Sequence, residues 1–168
     1  QKSGAVFDQE KLLWMNKHYF KNSSLKKIVS EITKFSNLSN IEDEQFTKLV
    51  EFARTRISTL KEFDDEIAPF VSELKFDDEK LEILNSKVAQ SLLKIISNEF
   101  SQLDNWNGDS AKSIIMQSGK DLSLKGKDLF FPIRTALFGE PKGPDLPVIL
   151  DILGKEKSIN RIQKAIIQ

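Results

Sequence analysis

From Ala5 to Asn107 the chain contains no glycine, and Pro69 is its only proline. A stretch that long without turn residues is incompatible with a β meander, which reverses every ~8–12 residues. The apolar spacing predicts helices instead. Asp8 is placed to cap a helix carrying Leu12, Leu13, Met15 and Tyr19, and Ser24 a second with Ile28, Val29, Ile32 and Phe35 on one face. Phe46, Leu49, Val50, Ala53, Ile57 and Leu60 recur at three- and four-residue steps behind Glu42, Asp43 and Glu44, whose charge suits a helix N-terminus. Asp77-Asp78-Glu79 reads as another N-terminus, not as a metal site. Ser86 or a neighbour opens a longer helix with Val88, Leu92, Ile95, Ile96 and Leu103 on a stripe. Asn107-Gly108-Asp109 then predicts a turn and cap, followed by a helix through Met116 that Gly119 ends.

The last part of the chain has another texture, with Gly126, Pro132, Gly139, Pro141, Gly143, Pro144, Pro147 and Gly154 close together. Pro132 is expected in the first turn of a helix running to Phe138, where its missing N–H is harmless. Gly139 stops that helix, Glu140 to Pro144 form a rigid loop, and Asp145 caps a short helix ending at Gly154. A last amphipathic helix carries Ile159, Ile162, Ala165 and Ile166. The fold class is therefore all-α, in two successive helical subdomains, 1–68 and 69–168, with the boundary at Pro69.

Composition narrows the chemistry. There is no cysteine, so disulfides, thiolate zinc sites and cysteine nucleophiles are excluded together. His18 is the only histidine, and without a second ligand or a placed acid it makes neither a metal site nor a triad; a helix-surface position is expected. Gly119 to Lys127 has the wrong spacing for a phosphate loop, with Asp128 where Ser or Thr is needed. Trp14, Trp106 and Phe130 are either core or base-stacking platforms, and their helical spacing favours core. The start, Gln1-Lys2-Ser3-Gly4, has neither Met nor an apolar leader, which reads as a piece of a longer protein; no run approaches a membrane span, and a reduced, cytoplasmic home is permitted. Lys+Arg and Asp+Glu both count 25, so the total charge does not favour a polyanion. The distribution does: residues 69–111 are acidic, and from Lys112 onward ten Lys/Arg face six acids.

Three blocks carry a resemblance. The first is Val6-Phe7-Asp8, Lys11-Leu12, Trp14-Met15-Asn16 and Tyr19; the second is Arg56 with Thr59-Leu60-Lys61-Glu62-Phe63. The third runs from Pro132 through Arg134, Ala136-Leu137, Gly139, Gly143-Pro144, Leu146 and Ile149 to Leu153-Gly154-Lys155-Glu156. In this order they are similar to the part of bacterial glutamyl-tRNA synthetases that follows the catalytic half, and they span nearly the whole chain. The resemblance implies two helical bundles, residues 1–68 on the anticodon-stem side and 69–168 binding the anticodon loop. It implies a parent glutamate–tRNA ligase, cytoplasmic and monomeric, that charges tRNA(Glu) with ATP and Mg2+ and has neither DNA nor membrane as partner. The catalytic and ATP-binding motifs lie upstream, so this chain is expected to hold no cofactor and no catalytic residue.

Arg56 matches the family position that reads the third anticodon base, and Arg134 an arginine near the first. Gly143, Pro144, Leu146 and Pro147 match the loop wall at that first base, acting through backbone groups and apolar stacking. The sequence departs from the family at Phe138, where a small polar residue is usual, at Gly143, where threonine is common, and at Pro147, where an aromatic is common. Residue by residue, alternatives remain: Arg56 paired with Asp64 or Glu62 on the surface, Arg134 as a helix-surface arginine, the loop as a plain connector. A helical protein-interaction adaptor without nucleic-acid binding is the competing reading of the whole chain.

Overall fold

The structure is a computed structural model that describes residues 8–36 and 43–166; Val6, Phe7 and Glu42 lie outside them. Nine helices follow in chain order among the described residues: α1 Gln9–Asn22, α2 Leu25–Ile32, α3 Asp43–Ala53, α4 Phe63–Val71, α5 Asp78–Asn85, α6 Lys87–Gln102, α7 Gly108–Asp121, α8 Lys127–Phe138 and α9 Leu146–Ile166. A 3₁₀ turn, Leu60–Glu62, precedes α4, and there is no strand among the described residues. The all-α expectation holds. Packing divides the chain into two compact units, 1–68 and 69–168. Pro69 is not in a linker: it sits inside α4, in the helix's second half.

Short polar side chains set where helices begin. Asp8 Oδ1 accepts from the Lys11 amide at 3.0 Å, Asp77 Oδ1 from Lys80 at 3.0 Å and Ser86 Oγ from Ala89 at 3.2 Å. Asn107 and Ser110 exchange side-chain and backbone bonds in a capping box. Each such cap is worth about 1 kcal/mol.

In the first unit Phe20, Ile28, Ile32, Leu49, Val50, Ala53, Ile57, Phe63 and Ile67 are buried. The Arg54 guanidinium, just after α3, donates to Lys21 O at 2.6 Å and Ser23 O at 2.8 Å, closing the open C-terminal carbonyls of α1. Two expectations fail here. Leu12, Met15 and Tyr19 are exposed, as is Trp14 at 66%, because α1 buries only Phe20. Trp14 is thus not core; it stacks on the exposed His18, ring centroids 5.5 Å apart. Phe35, past the end of α2, is also exposed.

In the second unit α9 packs against α6, α7 and α8. It selects Ala89, Leu92, Leu93, Ile96 and Phe100 as the buried face of α6 and leaves Val88 and Ile95 exposed; both sets have helical spacing, and the neighbour decides. Trp106 is part of this packing, edge-on to Phe100 with Nε1 donating to Leu150 O. Gly119 does not end α7. A Cβ there would lie 2.6 Å from Leu129 Cδ2, so the glycine admits Leu129, and the helix continues to Asp121. Pro132 is likewise deeper in α8 than its first turn; the carbonyl it leaves unbonded is that of the exposed Asp128, where water serves. Gly139 stops α8 in the left-handed conformation, φ 85°, its N–H on Thr135 O. Gly154, φ 72°, kinks α9, so the two helices expected after Asp145 are its two halves.

No sequence signal singles out Arg161. It is 8% exposed. Its Nη1 donates to Pro69 O at 2.7 Å and Leu137 O at 2.5 Å, and its Nη2 to Phe70 O at 3.1 Å and Ser72 O at 3.0 Å. The fork thereby satisfies open carbonyls where α4 and α8 end, at the negative poles of both helix dipoles. Burial pushes its pKa down to about 10, so the charge persists at neutral pH. Arg161→Met, which keeps the stem but orphans the carbonyls, is expected to cost on the order of 3 kcal/mol in urea denaturation. Arg161→Lys recovers a minor part, since one ammonium cannot span four acceptors. A Met variant within about 0.5 kcal/mol of the wild type would contradict this role.

Candidate nucleic-acid interface

Beyond α3 the chain turns tightly, with the amides of Arg56 and Ile57 both on Ala53 O. Arg54 is committed to the end of α1 and Ile57 is buried, which leaves Arg56 projecting outward. Its guanidinium lies 4.0 Å from the Phe52 ring centroid, and Nη1 donates to Phe52 O at 3.1 Å. Nε is 3.5 Å from Glu66 Oε1. The acid beside Arg56 is therefore Glu66, not Asp64 or Glu62. Glu62 is occupied by the Ser58 amide and the Thr59 hydroxyl, and Asp64 accepts from Ser36 Oγ.

Neither contact is strong. A ring seat at an exposed site is worth about 0.5–1 kcal/mol and a surface ion pair about as little. Together they hold the guanidinium plane flat, while both terminal nitrogens keep hydrogens without a partner among the described residues. Burial raises the Glu66 carboxyl above the usual glutamate range, and the Arg56 charge only partly offsets this. Phe52 and Glu66 were missed in the sequence; the four-residue step from Phe52 to Arg56 was the available signal.

The second cluster surrounds the loop between α8 and α9. Arg134 is half-buried, and its Nη1 donates to Pro144 O. Burial lowers the Arg134 pKa while the Asp145 carboxylate works against that. At the loop's start Glu140 is held by Lys80 Nζ at 2.7 Å, 3.4 Å from Asp77 Oδ2. The structure thus joins Arg134 to Pro144 and leaves Gly143 exposed and Pro144 and Pro147 partly so. Leu146 does not fit its expected part as a stacking wall: it is 3% exposed and belongs to the core. Pro147 is set from behind, since a Cβ on Gly108 would meet Pro147 O at 2.2 Å.

Two of the departures noted in the sequence touch each other. A Cβ at Gly143 would stand 3.0 Å from Phe138 Cε1 and 3.1 Å from Cδ1, and the Phe138 ring is itself held edge-on by Phe70 at 5.2 Å. A large ring at 138 thus crowds any side chain at 143, where the backbone, φ 158°, already strains one. Gly143→Thr alone is expected to cost about 1–2 kcal/mol by overpacking. The same change made with Phe138→Ser should cost less than the two single changes summed, by about 1 kcal/mol. A thermal or urea double-mutant cycle measures this, and strict additivity would show that the two positions are independent.

Comparison with known proteins places this geometry. The family model described as an anticodon binding domain matches residues 14–166. The glutamate–tRNA ligase of Natranaerobius thermophilus is 32% identical, aligned over 99% of this chain and 36% of its own length. That of Halalkalibacterium halodurans is 33% identical over 96% of this chain and 35% of its own. A solved glutamate tRNA ligase from Elizabethkingia meningosepticum, in complex with its amino acid, superposes with a TM-score of 0.85 at 29% identity, over 100% of this chain and 34% of that one. The chain accordingly spans little more than a third of the relatives it matches. These are the proteins that the three sequence blocks resemble, and the family match runs from within α1 to the end of α9, including the seat of Arg56 and the loop beside Arg134: the chain belongs to the anticodon-binding-domain family.

Proposed function

We propose that this chain is the tRNA-recognising part of a glutamate–tRNA ligase, which joins glutamate to tRNA(Glu) with ATP and Mg2+. The observation that carries this reading is the alignment of named glutamate–tRNA ligases along nearly the entire chain. ATP, metal and the ligation chemistry would then belong to the larger part of the ligase that this chain does not span. Among the described residues no group of His, Cys, Asp and Glu is placed to hold a metal, and no helix is long and apolar enough to cross a membrane. In this reading the parent works as a cytoplasmic monomer with tRNA, not DNA or membrane, as its partner. Unit 1–68 faces the anticodon stem and unit 69–168 the loop.

Arg56 reads the third anticodon base. Glutamate anticodons end in C and glutamine anticodons in G. An unstacked cytosine offers N3 and O2 as two acceptors to a donor-only fork, whereas guanine sets N–H donors against it. The support is the geometry: the Phe52 ring and carbonyl and Glu66 at Nε seat the guanidinium and leave hydrogens on both terminal nitrogens without a partner among the described residues, so little ordering remains to be done on binding. At the first base the contacts come from Gly143, Pro144 and Pro147, with Leu146 supporting from the core. Arg134 acts there as a strut on Pro144 O, with donors left for a base or phosphate. An adaptor function draws on exposed apolar side chains such as Leu12, Trp14, Met15 and Phe35, and absence of salt-dependent tRNA binding would favour it.

The experiment compares kcat/KM for charging glutamate tRNAs that differ only in the third anticodon base, using the ligase that carries this chain. A good base contact discriminates by roughly 1–3 kcal/mol, about ten- to a hundredfold. Arg56→Gln, which both donates and accepts, should lose most of that preference by using G better; an unchanged ratio would refute the role.

Glu66 adds a pH signature. Its folded-state pKa is raised by burial, so the fold is favoured by the protonated carboxyl and loses stability as pH rises from the ordinary glutamate range through the raised value. Glu66→Gln removes that loss. Its stability relative to the wild type should rise between pH 4 and pH 7, as read from denaturant midpoints; a pH-independent difference would mean that Glu66 titrates normally.

A further inference from the structure

Away from the residues assigned to the anticodon, the second unit contains a concavity of about 630 Å³. It lies between the α4–α5 connection and the second half of α9, and Ser72, Glu73, Lys157, Asn160, Arg161 and Lys164 are among its walls. Three cations, Lys157, Arg161 and Lys164, come from successive turns of one helix. The carboxylate in the wall, Glu73, is taken by Lys164 at 2.9 Å, in a pair whose side chains are 86% and 68% exposed at the rim. Arg161 is satisfied by carbonyls and has no carboxylate partner. Lys157 is half-buried and has neither a hydrogen-bond nor an ion-pair partner among the described residues.

Two positive charges thus share a recess: that of Arg161 faces four carbonyl oxygens, and that of Lys157 faces no counter-charge among the described residues. For folding alone this is unfavourable: burying an ammonium beside a guanidinium costs free energy that a methionine of similar length would avoid. Burial holds the Lys157 pKa below the ordinary lysine range, and the Arg161 charge lowers it further. An anion would reverse both effects. A phosphate group fits best, because its several acceptor oxygens and its charge of up to about −2 match the unpaired Lys157 ammonium with the Asn160 and Gln163 amides and the Ser72 hydroxyl in the same walls, while Arg161, its terminal hydrogens spent on carbonyls, adds only charge. The volume leaves room for what the phosphate is attached to.

We propose that this recess, with Lys157 as its principal cation, is a phosphate-group site, taking either a backbone phosphate of RNA or a free phosphate. It uses none of the residues assigned to base reading, and it stands whether or not Arg56 reads the third base.

The test follows Lys157 in the chain after reductive 13C-methylation, which preserves charge, with Lys157→Met to assign its signal. The Lys157 titration is recorded in chloride, in inorganic phosphate at equal ionic strength, and with a glutamate tRNA transcript. Phosphate or RNA should saturably raise the Lys157 protonation constant about tenfold, and chloride should not. A response to inorganic phosphate identifies a free-phosphate site; a response to RNA alone identifies the backbone. Lys157→Met should abolish phosphate-dependent thermal stabilisation while unfolding no earlier than the wild type. No saturable change with either probe overturns the proposal, and so does a Met variant that keeps the stabilisation. Should that variant fold poorly, the wild-type titration decides by itself.

Discussion

One guanidinium closes the ends of two helices in the second unit. The carbonyls of Pro69, Phe70 and Ser72 at the end of α4 and of Leu137 at the end of α8 all converge on Arg161. Helix C-termini inside a packed unit need donors, and water is a poor candidate where Leu137 is fully buried. Gly139 ends α8 two residues after Leu137, and the arginine supplies the donor for a carbonyl that this stop leaves open. The loop that leads to α9 departs from that point.

The loop is then built by close backbone approach. Gly108 lets Pro147 O come where a Cβ would stand at 2.2 Å, and the Gly108 amide donates to Asp151 Oδ1 at 2.6 Å. Gly143 lies on the Phe138 ring, and Arg134 ties Pro144 O back to α8. Glycine is needed at 108 and 143 for what is absent, a Cβ. Side-chain bulk at 138 and backbone access at 143 are two faces of one packing decision, which is why departures from the family pattern fall on both.

Arginines in this chain divide by what their donors meet. Arg54 and Arg161 spend theirs on carbonyls at helix ends, and Arg134 donates to one loop carbonyl. Arg56, two residues from Arg54, rests on Phe52 and Glu66 and keeps donors outward. Identical side chains at nearly adjacent positions thus serve packing in one case and exposure in the other. The turn at Ala53 O, after which Ile57 is buried, separates the two.

What the residues determined by themselves was local. Turn residues missing before Gly108, caps at Asp8, Asp77, Ser86 and Asn107, and the left-handed stop at Gly139 follow from backbone sterics and from hydrogen bonds within a few positions. Family blocks added Arg56 and Arg134 to that picture. The helical period, in contrast, put Val88 and Ile95 on the apolar stripe of α6, and the packing of α5, α7, α8 and α9 around that helix chose Leu93 and Phe100 instead. It could not tell a glycine that ends a helix from one that admits Leu129, nor a core tryptophan from the exposed Trp14. Arg161 and Lys157 looked like ordinary members of a basic tail. Their burial, and the absence of a carboxylate beside either, comes from segments up to about ninety residues away, and no local rule carries information over that distance.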